Sequence, residues 1–186
     1  MRGKLAPGAR VPGLSDATIG DFWSWAYSDL RDNTVRGAFA EWVVGTLLGA
    51  EGGGRVGWDA VDLRYRGRGL EVKSAAYVQA WRQDRLSRIE FQVGRRRGWD
   101  AASNEYASEA SRSADAYVFC LYPERDVRVA DPIDVVAWQF WVVPTRTLDT
   151  EIDGQKSLGL RRLQGLTTRV AAQDLRASVD AALDRT

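Results

Sequence analysis

Three acidic residues and one lysine are spaced so that they can act together on a phosphate. Asp62 is followed by Glu71-Val72-Lys73, and Glu41 lies upstream. Carboxylates are hard oxygen ligands that suit Mg²⁺, with Mn²⁺ as a substitute, and a backbone carbonyl at a strand edge, here that of Val72, is a further ligand of the same kind. An ammonium two residues from such a glutamate, as Lys73 is from Glu71, can hold an attacking water or stabilise charge building on a phosphate. None of this chemistry requires histidine, and the chain has none. That absence excludes Ser-His-Asp triads, His/Cys pairs, histidine metal sites and His-Asn-His nucleases together. The single cysteine, Cys120, excludes an internal disulfide and a cysteine zinc cluster and points to a reducing cytoplasm. Of the 26 basic residues only Lys4, Lys73 and Lys156 are lysines, so the place of Lys73 inside an acid-x-Lys triplet carries weight.

The elements that must position these groups are legible in the hydrophobic pattern. Asp16 predicts the cap of a helix running to about Leu30, with Phe22, Trp25 and Ala26 toward a core. A second helix, capped by Thr34 and reaching Ala50, carries Phe39, Val43 and Leu47 on one stripe and Ala40, Val44 and Leu48 beside it. Between Arg36 and Glu51 its only charge is Glu41, a carboxylate in apolar surroundings that needs a partner or a purpose. Val61, Leu63 and Tyr65 alternate with Asp62 and Arg64 as in a half-buried strand. Gly67 and Gly69 supply a turn, and the next strand, from Leu70 to about Ala75, places Glu71 and Lys73 on the face opposite Leu70 and Val72. A third strand follows at Ile89, Phe91 and Val93, then a helix from about Ala101 to Ser113 and a fully buried strand at Ala116 to Tyr122. Beyond Pro132 come a strand over Trp138 to Val143 and a helix from about Thr168 to Leu183 carrying Val170, Ala171, Leu175 and Val179. The expected class is α/β, with a mixed central sheet flanked by helices and an αβββαβ core over residues 34–122. Residues 1–20 form a loose start to what reads as a single domain over 1–186, and residues 123–186 are additions to its core.

Glu41, Asp62 and Glu71-Val72-Lys73 in this order of elements resemble the PD-(D/E)XK nuclease superfamily, which includes restriction endonucleases and Holliday-junction resolvases. The resemblance implies a restriction-endonuclease-like fold and hydrolysis of phosphodiester bonds in DNA, with a role in restriction or anti-phage defence. It implies that Asp62 and Glu71 hold Mg²⁺ with the Val72 carbonyl, that Lys73 serves the water or the transition state, and that Glu41 is an accessory ligand or acid. Val61 stands where the superfamily's name has proline, and the Gln-x-x-x-Tyr element of one of its branches is absent. With 25 acids and three lysines in the chain, about 0.4 acid-x-Lys triplets arise by chance, so the combination of triplet and element order carries the resemblance.

Other readings of the same residues compete. Asp62 and Lys73 can form an exposed cross-strand ion pair without chemistry, Glu41 can pair with Arg36 or Arg64, and Asp59 can replace Asp62 as ligand, although strand alternation puts it with Val61 and Leu63. The same fold without activity would bind nucleic acid or a partner protein. Charge favours a polyanion: residues 55–97 carry eleven basic and five acidic groups within a chain of net charge +1. Arg64, Arg66, Arg68, Arg82, Arg85, Arg95, Arg96 and Arg97 are therefore candidate phosphate contacts, and Trp81 and Trp99 candidate stacking partners for bases or sugars. No apolar run is long enough for a signal peptide or a bilayer span, so neither secretion nor membrane insertion is expected. A homodimer, or a complex with a partner of a defence system, fits the same expectations.

Overall fold

A computed structural model describes residues 4–50, 54–57, 59–100 and 104–184. Residues 4–17 form turns and a bridge between Arg10 and Thr18. Helix α1, Ile19–Tyr27, starts at Thr18, not Asp16, because Thr18 and Asp21 complete a capping box. Asp16 instead takes a left-handed backbone conformation, φ 59°. The expected inward face of α1 does not exist: no residue of the helix is buried, and Phe22 and Trp25 are exposed. Helix α2, Asn33–Leu48, starts two residues earlier than expected because Asp32, not Thr34, is its cap: the Asp32 carboxylate accepts the N–H groups of Thr34 and Val35. It stops at Gly49, whose φ of 64° is open to glycine at little cost.

Strands β1, Leu63–Tyr65, and β2, Arg68–Ala76, form an antiparallel hairpin. Arg66 and Gly67, with φ of 53° and 72°, make its two-residue turn, so the turn ends before Gly69. Gly69 is a strand residue opposite Arg64, required where the chain doubles under Val61: an added Cβ would lie 2.7 Å from Val61 Cγ1. Strand β3, Glu90–Gln92, and the short pair β4, Trp99–Asp100, and β5, Glu105–Tyr106, follow. Strand β6, Ala116–Tyr122, runs parallel to β2, and β7, Gln139–Pro144, closes the order β1-β2-β6-β7 antiparallel to β6. The sheet is mixed, as expected, but β3 is not part of it. β3 pairs instead with β8, Ser157–Gly159, in a separate two-stranded ribbon.

The helix expected over 101–113 is also replaced. Residues 101–103 lie outside the described residues, and from 104 onward β5 and a bridge between Arg96 and Ser111 use the backbone groups that a helix would need. Arg97 reinforces this path by donating to the carbonyls of Ala107 and Ser108.

Helices α3, Thr145–Glu151, and α4, Leu160–Leu166, cover one face of the sheet together with the β3–β8 ribbon; Phe91, Leu148, Leu158 and Leu163 pack there against Phe119 and Trp141. The opposite face is covered by α2 and by α5, Leu175–Leu183, whose Leu175 and Val179 meet Ala40, Val43 and Val44 of α2 over Val72 and Val118. The C-terminal helix is shorter than its apolar pattern predicts because Val170 pairs its backbone with Phe140, lengthening the sheet edge, before a 3₁₀ turn over Ala172–Asp174. None of the helices among the described residues is long and apolar enough to cross a membrane.

Two glycines separate close packing from open space. Gly69→Ala should destabilise the protein by about 1–3 kcal/mol through overpacking against Val61. Gly37→Ala, at an α2 position with nothing within 4 Å of an added Cβ, should stabilise it by about 0.5–1 kcal/mol. Urea unfolding of the two variants checks the contrast.

Candidate active site

The site is built where β1 begins. Leu63 faces Leu70 in the hairpin register, yet the Asp62 N–H also donates to the Leu70 carbonyl, at 3.0 Å. Two residues of one strand thus oppose one of the other, a β-bulge, and the alternation of side chains slips by one. Val61 accordingly joins the core on the β3–β8 side, while Leu63 packs on the α2 side. The expected common apolar face for Asp59, Val61 and Leu63 is therefore corrected. Freed by the bulge, the Asp62 carboxylate turns back across the hairpin and accepts the Val72 N–H at 2.8 Å. In an extended strand the N–H and C=O of one residue point to the same side, so the Val72 carbonyl faces this edge as well.

Glu71 and Lys73 alternate with the buried Leu70 and Val72 and form an ion pair with each other. Glu71 stands beside Tyr117 of β6 in the parallel register, and Tyr117 is buried. Burial, and next the Glu71 charge, push the Tyr117 hydroxyl to a higher pKa than a free phenol. Asp62 is pushed up to about 6, first by burial and then by the Glu71 carboxylate, with Glu41 adding to the effect; the Val72 N–H and Lys73 oppose it. Asp62, Glu71, Glu41 and Lys73 thus share one electrostatic neighbourhood, as their spacing predicts.

Glu41 is buried on α2 and is held by neither Arg36 nor Arg64. Arg55 takes it in a two-pronged pair, Nε to Oε2 at 2.5 Å and Nη2 to Oε1 at 2.8 Å. The same contact raises the pKa of Arg55, with smaller contributions from Asp62 and Tyr27. Arg36 is buried too, and donates to the Arg31 carbonyl, Gln79 and Asn33; burial lowers its pKa to about 10. Asp59 caps the Ala60 N–H and meets Arg64 at 3.5 Å. A cavity of about 530 Å³ opens on the α2 side of Asp62, with Glu41, Trp42, Arg55, Asp59 and Arg64 in its wall. Glu71 and Lys73 do not line it, so Asp62 sits between the cavity and the strand that carries them.

The acidic groups fit a hard cation by chemistry: Asp62, Glu71 and the Val72 carbonyl offer oxygen only, on adjacent strands. Each carboxylate already has a protein partner, the Val72 N–H, Lys73 or Arg55.

The arginines disperse. Of the eight predicted phosphate contacts only Arg64 lines the cavity. Arg66 pairs with Asp180 at 2.8 Å, Arg68 with Asp115 at 3.3 Å, and Arg95 with Asp153 at 2.8 Å and Asp149 at 3.4 Å. Arg97 holds backbone carbonyls, whereas Arg82, Arg85 and Arg96 are exposed. Trp81 is exposed in the connection after β2, and Trp99 packs on Tyr106 with ring centroids 4.8 Å apart. Sequence reasoning missed Arg55, Trp42 and Tyr117. Arg55 stands beyond a glycine run with no motif around it, and the other two sit in helix and strand patterns that read as packing. The chain matches no protein-family model, and no curated protein compared with it is a significant match.

Raised from 3.8 to about 6, Asp62 binds a proton in the folded state over a pH range where the unfolded chain has released it. Stability should therefore fall as pH rises from about 4 to about 6 and level off above. Asp62→Asn keeps an acceptor for the Val72 N–H and removes the buried charge. In chelator it should stabilise the protein by about 1–3 kcal/mol at pH 7.5 and by little at pH 4. Urea unfolding at the two pH values checks this; equal effects at both would remove the electrostatic cause.

Proposed function

We propose that the protein is a metal-dependent nuclease that hydrolyses phosphodiester bonds in DNA, as a PD-(D/E)XK-like enzyme would. The observation that carries this reading is the placing of Asp62, half-buried and with a raised pKa, beside the Glu71 carboxylate and the Lys73 ammonium at the edge of a strand. Two carboxylates crowded this way oppose folding, and structural ion pairing needs only one of them. Asp62, Glu71 and the Val72 carbonyl would hold Mg²⁺ or Mn²⁺, which supplies charge neutralisation at the phosphate and a more acidic water.

The protein's own groups then divide the remaining work. Lys73, held by Glu71 in the absence of substrate, is positioned to orient the attacking water and to offset negative charge as the phosphate becomes five-coordinate. The water gives up a proton to solvent as its oxygen forms a bond to phosphorus, the bond from phosphorus to one ester oxygen breaks with its electron pair staying on that oxygen, and that oxygen takes a proton from solvent. Glu41 acts through Arg55: the guanidinium it holds lies in the cavity wall and feels the Asp62 charge, and is suited to a phosphate oxygen. The fully occupied pairs at Glu41 and Glu71 favour a second reading, a nuclease-like domain that binds DNA without cutting it.

Metal titration separates the two. Mg²⁺ or Mn²⁺ should raise the melting temperature of the wild-type protein and of Asp59→Ala but not of Asp62→Ala or Glu71→Ala. Lys73→Ala should reduce single-turnover cleavage of DNA by about 100-fold or more while DNA affinity and melting temperature stay close to wild type. DNA binding with no metal shift and no cleavage would establish the non-cutting alternative.

A further inference from the structure

Trp42 is the large aromatic that the fold leaves beside the acidic set. It is 62 % exposed although it lies on α2 between the buried Glu41 and Val43, and it forms part of the cavity wall that contains Asp62. One side of the ring is backed: Phe39 stacks on it, with centroids 5.8 Å apart and planes at 29°. Phe39 in turn meets Trp138, which is buried and packed with Tyr122 and Phe140. The indole is thus held in place by a chain of rings leading into the core. A second exposed ring, Tyr27, stands near enough to Arg55 to favour its charge.

We infer that Trp42 is a stacking platform for an unpaired nucleobase and that the substrate is single-stranded DNA. The inference rests on the nuclease reading and adds the form of the substrate. A flat ring, fixed from behind and facing a mostly apolar cavity that carries charged groups in its wall, matches a ligand with a π-face and polar edges. An aliphatic side chain of a protein partner would cover the Glu41–Arg55 and Asp59–Arg64 pairs without offering them a polar group. The cavity also suits the phosphate attached to that base. Lys4, Arg55 and Arg64 equal Glu41, Asp59 and Asp62 in number there, so a polyanion does not meet uncompensated negative charge. In duplex DNA the base faces are stacked within the helix, and Trp42 can reach only a base that is already unpaired.

The test measures binding to a labelled oligothymidylate and to a duplex of equal length, in chelator so that no strand is cut. Wild type should bind the single strand more tightly than the duplex. Trp42→Ala should weaken single-strand binding about ten-fold or more and duplex binding less than two-fold, and Trp42→Phe should restore most of the loss. Circular dichroism and melting temperature should be unchanged, since the side chain is largely exposed. Equal weakening on both DNAs, or none on either, overturns the platform. Self-association of the wild type that Trp42→Ala abolishes, with DNA affinity unchanged, assigns the face to a second copy and also overturns it. If duplex is bound with Trp42→Ala silent, the platform alone fails; if neither DNA is bound, the nuclease reading fails with it.

Discussion

The hydrogen bond from the Val72 N–H to the Asp62 carboxylate holds the candidate site in shape. It exists because β1 bulges at Asp62, which releases the residue from regular alternation and lets a side chain take a donor at the open end of the hairpin. Without the bulge, alternation would carry Val61 to the same side as Leu63, and the core on the β3–β8 face would lose it. With it, one residue turns a carboxylate toward Glu71, keeps a strand-edge donor paired and sits at the wall of the cavity under α2. Packing and electrostatics pull in opposite directions at this point. The part-buried hydrogen bond favours the charged carboxylate, while desolvation and the Glu71 charge disfavour it, and the second pair prevails in the raised pKa.

Around this point the charged groups are arranged as nested pairs. Lys73 answers Glu71, and Arg55 answers Glu41, so three carboxylates and two cations lie close together at the open end of the hairpin. Such an arrangement is costly to desolvate and contributes little net stability compared with apolar packing of the same volume. Its retention within a fold whose two cores are otherwise strongly apolar is the physical ground for reading it as a working site.

How much of this was legible beforehand depended on the range of the interaction concerned. The hairpin, α2, β6 and β7 follow from local periodicity and are present close to their expected places, although of the two turn glycines expected only Gly67 is in the turn and Gly69 lies in β2. Glu71 and Lys73 share a face because a strand alternates. What escaped was set by partners distant in sequence. The composition of 101–113 permits a helix, but Trp99, Tyr106 and Arg96 find strand partners; Val170 leaves the last helix because Phe140 offers it an edge. The aromatic face of α1 has helical spacing and nothing to bury against. The basic middle of the chain is real in sequence, yet Arg66, Arg68 and Arg95 are drawn to Asp180, Asp115, Asp149 and Asp153, and a count of charges does not reveal such pairings.

The parallel pairing of β2 with β6 joins Leu70 to Ala116 across a connection, residues 77–115, that holds only short strands among its described residues. The entropy of closing such a loop grows with the logarithm of its length, about 0.6 kcal/mol for each doubling. The hairpin bearing Asp62, Glu71 and Lys73 closes through two turn residues, and none of its strand pairing depends on that connection. Its geometry is therefore insulated from changes in the length of the exposed stretch around Trp81 to Arg88. That stretch is where the chain can accept inserted sequence, and with it new contacts to a substrate, at small thermodynamic cost and without moving the acidic set.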